Sequence, residues 1–490
     1  MGGKVLSVAS ECVPLIKTGG LADVVGALPA ALAREGWEMR VLLPAYRPLR
    51  RLIQDDPAAW TEVWYEDGLW GGVGRVLAGQ VAGLSVLLLD AAHLYDREGG
   101  PYAGPSGDWP DNAQRFAALS WVGARIARDG LADWKPDLLH AHDWQAGLAP
   151  AYLAYHGAGG DGAGGQGAGG AKSVITVHNI AFQGQAAPHL LGDLRLPGHA
   201  FTPEGVEYFG GISSLKAGLV TADRITTVSP GYARELMRPE FGRGLEGVIA
   251  ARAEVVSGIL NGVDTAIWSP GAEAETPYTA ADPSGKAAAR AALCAAFGLE
   301  VPGPLAVLVS RLTDQKGIDL LPGVLPEFIE AGGGLAVLGS GYPELEGALL
   351  DLAARHPGRV AVRIGYDEAL SHLLFQGGDA VLVPSRFEPC GLTQLYGLRY
   401  GTVPVVAAVG GLGDTVINAS PAALTAGAAT GITFWPTDAL AFAQALRRLV
   451  SLHAEPEIWR RIQANAMAHP VGWETSAAEY AALYQGLIDR

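Results

Sequence analysis

An α/β fold of two doubly wound domains is predicted from three features of this 490-residue chain. Short β-branched and leucine-rich runs alternate with helical stretches, the pattern of parallel sheets wrapped by helices. The runs form two sets. The first is 4–9, 40–43, 86–90, 138–140, 173–177 and 225–228, and the second is 306–310, 335–339, 360–364, 380–383 and 403–407. The length also exceeds what one hydrophobic core serves. A boundary is expected near 257–267, where Leu260-Asn261-Gly262-Val263-Asp264 reads as a turn ahead of the Pro/Ala/Gly-rich stretch 269–284. The expected domains are 1–256 and 257–473, followed by a C-terminal segment, 474–490, whose helix covers 476–488.

The composition narrows the function classes. Apolar residues make up 49% and charged residues 17%, which suits a folded, well-buried protein rather than a disordered one. The net charge of −15 argues against a nucleic-acid partner, which needs a basic face. Any phosphate site must then be a local basic cluster. Cys12, Cys294 and Cys390 are far apart and form no CxxC, so neither a disulfide framework nor a zinc site is expected, and a reducing cytoplasm fits. No apolar run reaches spanning length, so no membrane partner is expected. The first residues read at once as a strand, with no room for a signal peptide.

Taken in order, the first notable element is Lys17-Thr18-Gly19-Gly20-Leu21-Ala22-Asp23-Val24, between the run 4–9 and a helix expected over 24–35. A strand, a Gly-Gly turn with a lysine, and a helix start make an anion-receiving arrangement, because bare backbone and free N–H groups face the ligand. An ordinary strand–helix turn is the alternative. A faint echo, Gly410-Gly411-Leu412-Gly413-Asp414-Thr415-Val416, recurs in the second half, with chance as the alternative. Next, His140-Ala141-His142-Asp143-Trp144 ends an apolar run and leads into a helix over 145–155. Residues i and i+2 of a strand share a face, so a metal site is one reading. No third ligand follows, and a polar cluster at a strand end is the favoured one. The stretch 157–171 (GAGGDGAGGQGAGGA) cannot bury enough apolar area to fold and reads as a flexible surface loop, a neutral insertion rather than a ligand contact. Thr176-Val177-His178-Asn179 repeats the strand-end arrangement, with a hydrogen-bonded loop histidine as the alternative.

The second half carries two further strings. In Ser310-Arg311-Leu312-Thr313-Asp314-Gln315-Lys316-Gly317, a strand delivers Arg311, and Lys316 follows on the same loop. Two cations there suit a pyrophosphate, against the alternative of a solvated charged loop. Pro384-Ser385-Arg386-Phe387-Glu388-Pro389-Cys390-Gly391-Leu392-Thr393-Gln394 follows the run 380–383 and opens a helix expected over 392–400. The N–H groups of Gly391, Leu392 and Thr393 can take up a phosphate. The position of Cys390 beside that helix start is expected to depress its thiol pKa. Tyr366, in Ile364-Gly365-Tyr366-Asp367-Glu368, ends another run.

Together these strings resemble the signatures of the bacterial glycogen synthases and plant starch synthases, glucosyltransferases that extend α-1,4-glucan from a nucleotide-glucose. The resemblance runs from Val5 to about Trp473. It includes Trp121-Val122-Gly123-Ala124, Leu215-Lys216-Ala217-Gly218-Leu219 and 391–401. It implies the GT-B architecture, two Rossmann-like domains facing across a cleft, with glucan on the first, nucleotide on the second, and the C-terminal helix crossing back to the first. It further implies that Lys17, Gly19 and Gly20 meet the sugar phosphate, and that Arg311 and Lys316 neutralise the departing diphosphate. Asp143 would position acceptor or reacting sugar. His178 would meet the glucose 6-hydroxyl, with its backbone carbonyl toward the anomeric carbon. Glu388 would hold sugar hydroxyls, and Tyr366 would pack on adenine. Tyr102, Asn179, Asn261 and Cys390 match positions lining the sugar and acceptor site. No cofactor and no metal are implied, and the α configuration is retained.

Bacterial-type motifs favour ADP-glucose over UDP-glucose by resemblance alone. The chain departs from the family at Val409, where threonine is frequent, at Tyr342-Pro343, where an acidic residue is usual, and in the insert 157–171. Competing readings are a glucan phosphorylase with pyridoxal phosphate on a lysine, a nucleotide-sugar epimerase of similar fold, and a non-catalytic glucan-binding protein. The intact Arg311, Lys316 and Glu388 set speaks against the last.

Overall fold

The computed structural model describes residues 2–156, 170–271 and 277–489. Most of the glycine-rich insert, read above as a surface loop, lies outside the described residues. The chain divides into two units. One is Met1–Val228 with Ala233–Ile259 and Trp473–Arg490, and the other is Ser229–Tyr232 with Leu260–Gly472.

The first unit is built on a nine-stranded sheet. Its strands are β1 (Lys4–Val8), β2 (Glu38–Pro44), β3 (Thr61–Leu69), β4 (Gly72–Val81), β5 (Leu84–Asp90), β6 (Leu138–His142), β7 (Lys172–Val177), β8 (Arg224–Thr227) and β9 (Val256–Gly258). Their order is β9-β8-β7-β6-β1-β2-β5-β4-β3. All neighbours are parallel except β3–β4 and β4–β5. Val5, Leu6 and Val8 are fully buried, as a central parallel strand covered on both faces requires. The hairpin β3–β4 escapes the sequence pattern because it is largely solvated, with few buried positions along β3. Its turn, Trp70-Gly71, has positive φ at both residues, the geometry that matches strand twist in a two-residue hairpin.

The helix Gly20–Arg34 buries Leu21, Val24, Val25, Leu28 and Leu32, a face at three- and four-residue spacing. The C-terminal helix Trp473–Ile488 packs on it through Trp473, Ala477, Tyr480, Tyr484 and Leu487. Burying each large side chain contributes about 1.5–3 kcal/mol, so this segment is an integral part of the first unit.

The second unit carries a six-stranded, wholly parallel sheet. Its strands are β10 (Leu305–Val309), β11 (Gly334–Gly339), β12 (Val360–Ile364), β13 (Ala380–Val383), β14 (Val403–Ala407) and β15 (Ile432–Phe434), in the order β12-β11-β10-β13-β14-β15. Each sheet reverses its winding direction once. The reversal falls between β1 and β6 in the first unit and between β10 and β13 in the second. At such a switch point the two following loops diverge, leaving a crevice beyond the carboxyl ends of the strands. The strings around Lys17, Asp143, Arg311 and Glu388 are the loops at these two places, and those around His178 and Tyr366 follow strands β7 and β12.

Candidate active site

In the first unit the loop after β1 folds around a carboxylate that the sequence reading did not single out. Glu11, nearly fully buried, accepts hydrogen bonds from the Thr18 N–H, the Thr18 hydroxyl at 2.5 Å, the Gly19 N–H at 3.1 Å and the Tyr102 hydroxyl. Tyr102 also bonds Ser10 Oγ at 2.8 Å. The Gly19 N–H is thus already engaged, and bare backbone for a ligand falls to Gly20 at the helix start. An added Cβ at Gly19 or Gly20 would meet nothing within 4 Å. Lys17 is half-exposed, and its Nζ donates to Asp23 Oδ1 at 2.7 Å.

Beyond β6 and β7, Asp143 is buried in a left-handed conformation with φ 53° and accepts from the His178 N–H at 2.6 Å. It also lies 3.4 Å from the Asn179 N–H, and Asn179 closes its own turn through Oδ1 to the Ala181 N–H. The His178 ring bonds the His142 ring, Nε2 to Nδ1, at 3.0 Å. His140 faces away from this bond and bonds Tyr484 and Thr176, each at 2.6 Å. Burial holds all three imidazoles neutral, with His140 and His178 pushed down to about 3. Among the described residues, no group of three or more His, Cys, Asp or Glu side chains could hold a metal ion.

Burial also pushes Asp143 up to about 7, against the lowering effect of its two backbone donors. A carboxyl raised above its ordinary value near 4 stabilises the fold in its protonated form. That contribution is complete below about pH 4 and lost as pH rises through 7. Asp143→Asn removes the titration. The stability of wild type relative to this variant should therefore fall between pH 4 and pH 8, by up to about 4 kcal/mol. Thermal or urea unfolding of both proteins across that range checks it, and a pH-independent difference would contradict the assignment.

In the second unit the loops after β10 and β13 meet. Lys316 Nζ lies 2.5 Å from Glu388 Oε2, which also accepts from Ser385 Oγ at 2.9 Å. Both partners engage the same oxygen, and Glu388 Oε1 has no bond among the described residues. The loops are sewn together by the Arg386 N–H to Gln315 O and by Gln315 Nε2 to Phe387 O. A shallow recess at this place is lined by Ser310, Lys316, Ser385, Glu388 and Thr393. Arg311 is exposed on the same loop and makes no ion pair among the described residues. Tyr366, after β12, is 74% exposed. Gly391, with φ 75°, and Leu392 lead into the helix Thr393–Arg399. Asn261 is buried with its side-chain oxygen unpaired among the described residues.

The Cys390 thiol differs from expectation. Burial pushes it up to about 12, and the nearby Glu388 and Asp414 add to the effect. The Asn261 backbone acts in the opposite sense but does not prevail. Burial outweighs any lowering by the helix start, so Cys390 is a buried thiol held in its neutral form.

A family model described as the starch synthase catalytic domain matches residues 4–251, and one described as glycosyl transferases group 1 matches 303–451. The chain is 70% identical over 488 residues to a glycogen synthase of Cereibacter sphaeroides, covering 99% of each. It belongs to the bacterial glycogen synthase family. Another glycogen synthase, from Paracoccus denitrificans, is 57% identical over 487 residues, again with 99% of each chain covered. Among solved structures, the catalytic domain of starch synthase IV from Arabidopsis thaliana, bound to ADP and acarbose, superposes with a TM-score of 0.84. Its identity is 28%, and each chain is covered completely. The fold is GT-B, and the protein is a glycosyltransferase of glycogen synthesis.

Within this glycogen synthase family frame, the structure groups Lys17, Gly19, Gly20, Tyr102, Asp143, His178 and Asn179 on the first unit. Arg311, Lys316, Tyr366, Glu388, Cys390, Gly391, Leu392, Thr393 and Asn261 lie on the second. Sequence reasoning missed Glu11, Ser385 and the partnership of His142 with His178. Glu11 sits in Ser10-Glu11-Cys12, where no spacing marks it. Its role is set by donors that reach it from two loops.

Proposed function

We propose that the protein transfers glucose from ADP-glucose to the non-reducing 4-hydroxyl of an α-1,4-glucan, with retention of configuration. The observation that carries this reading is the Lys316–Glu388–Ser385 cluster at the β10/β13 switch point, with Arg311 beside it. Arg311 and Lys316 supply positive charge where a leaving diphosphate develops negative charge. Glu388, its Oε2 held by Lys316 and Ser385, keeps Oε1 for a sugar hydroxyl. The N–H groups of Gly391, Leu392 and Thr393, leading into the helix start, receive phosphate oxygens, and the exposed Tyr366 ring gives adenine a stacking face.

On the first unit, Lys17 and Gly20 act on the sugar phosphate. Asp143 holds the His178 backbone by its N–H, and His178 meets the sugar. Tyr102, Asn179, Asn261 and Cys390 line the sugar and acceptor positions. ADP and acarbose in starch synthase IV support an adenine nucleotide and a glucan as partners. A cytoplasmic location follows from the same reading. With glycogen as acceptor, kcat/KM for ADP-glucose should exceed that for UDP-glucose at least about tenfold, roughly 1.4 kcal/mol of discrimination. Equal or reversed preference would overturn the donor assignment.

A further inference from the structure

We propose that Ser7 and His142 form a proton-ordering relay that presents the His178 ring to substrate as an Nδ1–H donor. Ser7 on β1 and His142 at the end of β6 lie on adjacent parallel strands. Both are fully buried, and Ser7 Oγ lies 3.1 Å from His142 Nε2. The other nitrogen of His142 lies 3.0 Å from His178 Nε2.

The direction of the chain of protons follows from satisfaction of buried donors. A buried hydroxyl must place its proton on an acceptor. The acceptor that the described residues offer Ser7 is His142 Nε2. If His142 carried its proton there, the Ser7 hydroxyl would be a buried donor with nowhere to donate. Ser7 therefore donates, and a neutral His142 carries its proton on Nδ1. That proton is donated to His178 Nε2, so a neutral His178 carries its own on Nδ1.

His140 cannot interrupt the order. Its ring lies tilted against that of His142, centroids 4.2 Å apart, but both its nitrogens are committed to Tyr484 and Thr176. The Nε2 edge of His178 faces this buried relay. Its Nδ1 is the nitrogen left for a ligand, on a residue that is only half-buried. A fixed N–H donor there selects a ligand oxygen with a free lone pair, such as a sugar hydroxyl, and penalises a deoxy sugar. Ser7 and His142 are positioning residues, acting through His178. The substrate half of this inference rests on the reading that His178 meets the sugar.

The test is nitrogen NMR of the full chain carrying ¹⁵N-histidine, with resonances assigned through His142→Gln and His178→Gln. The expected result is protonation at Nδ1 and an acceptor-type Nε2 for both His142 and His178. Protonation of His178 at Nε2 would overturn the relay. A kinetic arm uses nucleotide donors of glucose and of 6-deoxyglucose. His178→Ala should cut the preference for the 6-hydroxyl about tenfold. Ser7→Ala should cut it partly, and Ser7→Thr should restore it. Unchanged preference and unchanged tautomers in Ser7→Ala would also overturn the relay. The expected tautomers with no effect of His178→Ala would leave the relay standing and remove the sugar contact.

Discussion

Replacing Lys316 by alanine is expected to lower kcat about 10²–10³-fold, and Arg311→Ala is expected to act similarly, because each cation meets charge that develops as the diphosphate leaves. The two variants should differ in stability. Arg311 is exposed and without an ion pair among the described residues, so its loss should leave unfolding unchanged. Lys316 is paired at 2.5 Å with a Glu388 side chain only 10% exposed. Removing it strands a nearly buried carboxylate, which is destabilising. The double variant Lys316→Ala/Glu388→Gln should recover stability but not turnover. Near-normal kcat in either single variant would remove the diphosphate clamp from the mechanism.

The second large effect is expected from Gly317→Ala, one methyl group on the same loop. Gly317 has φ 68°, and a Cβ there would lie 2.0 Å from the Pro384 carbonyl oxygen. The neighbour is backbone of the loop that carries Ser385 and Glu388, so the two loops must separate. Left-handed backbone at a non-glycine residue costs about 1–2 kcal/mol, and overpacking typically costs about 1–3 more. Separation also lengthens the Lys316–Glu388 contact, and misplacement of about 1 Å is worth about 10²-fold in rate. Unfolding midpoint and kcat should therefore both fall. A variant with unchanged midpoint and kcat would show that the close approach of the loops is not needed.

The parallel strands were legible because a strand covered on both faces is a continuous apolar run, as in Val307-Leu308 or Val381-Leu382. The hairpin Thr61–Leu69/Gly72–Val81 was not, since solvated antiparallel strands carry no such run. The helix expected over 145–155 is interrupted. A short turn, Asp143–Ala146, precedes Leu148–Tyr155, and a Cβ on the intervening Gly147 would lie 2.2 Å from the Ser214 carbonyl oxygen. That close approach belongs to tertiary packing and leaves no local trace.

The candidate site divides in the same way. Its residue types at strand ends were readable, and the resemblance supplied roles for them. Their pairings were not readable. Lys316 and Glu388 are 72 residues apart and meet only because β10 and β13 are neighbours. Glu11 gathers donors from its own loop and from Tyr102, 91 residues away. The Cys390 thiol was misjudged because a helix start is visible in sequence and desolvation is not.

The most direct test of the central claim follows ADP release and glucan length together, with purified protein, ADP-glucose and a short maltooligosaccharide. One ADP should appear for each glucose added, and each new linkage should be α-1,4 at the non-reducing end. ADP release without chain growth, or chain growth only from glucose 1-phosphate, would contradict it.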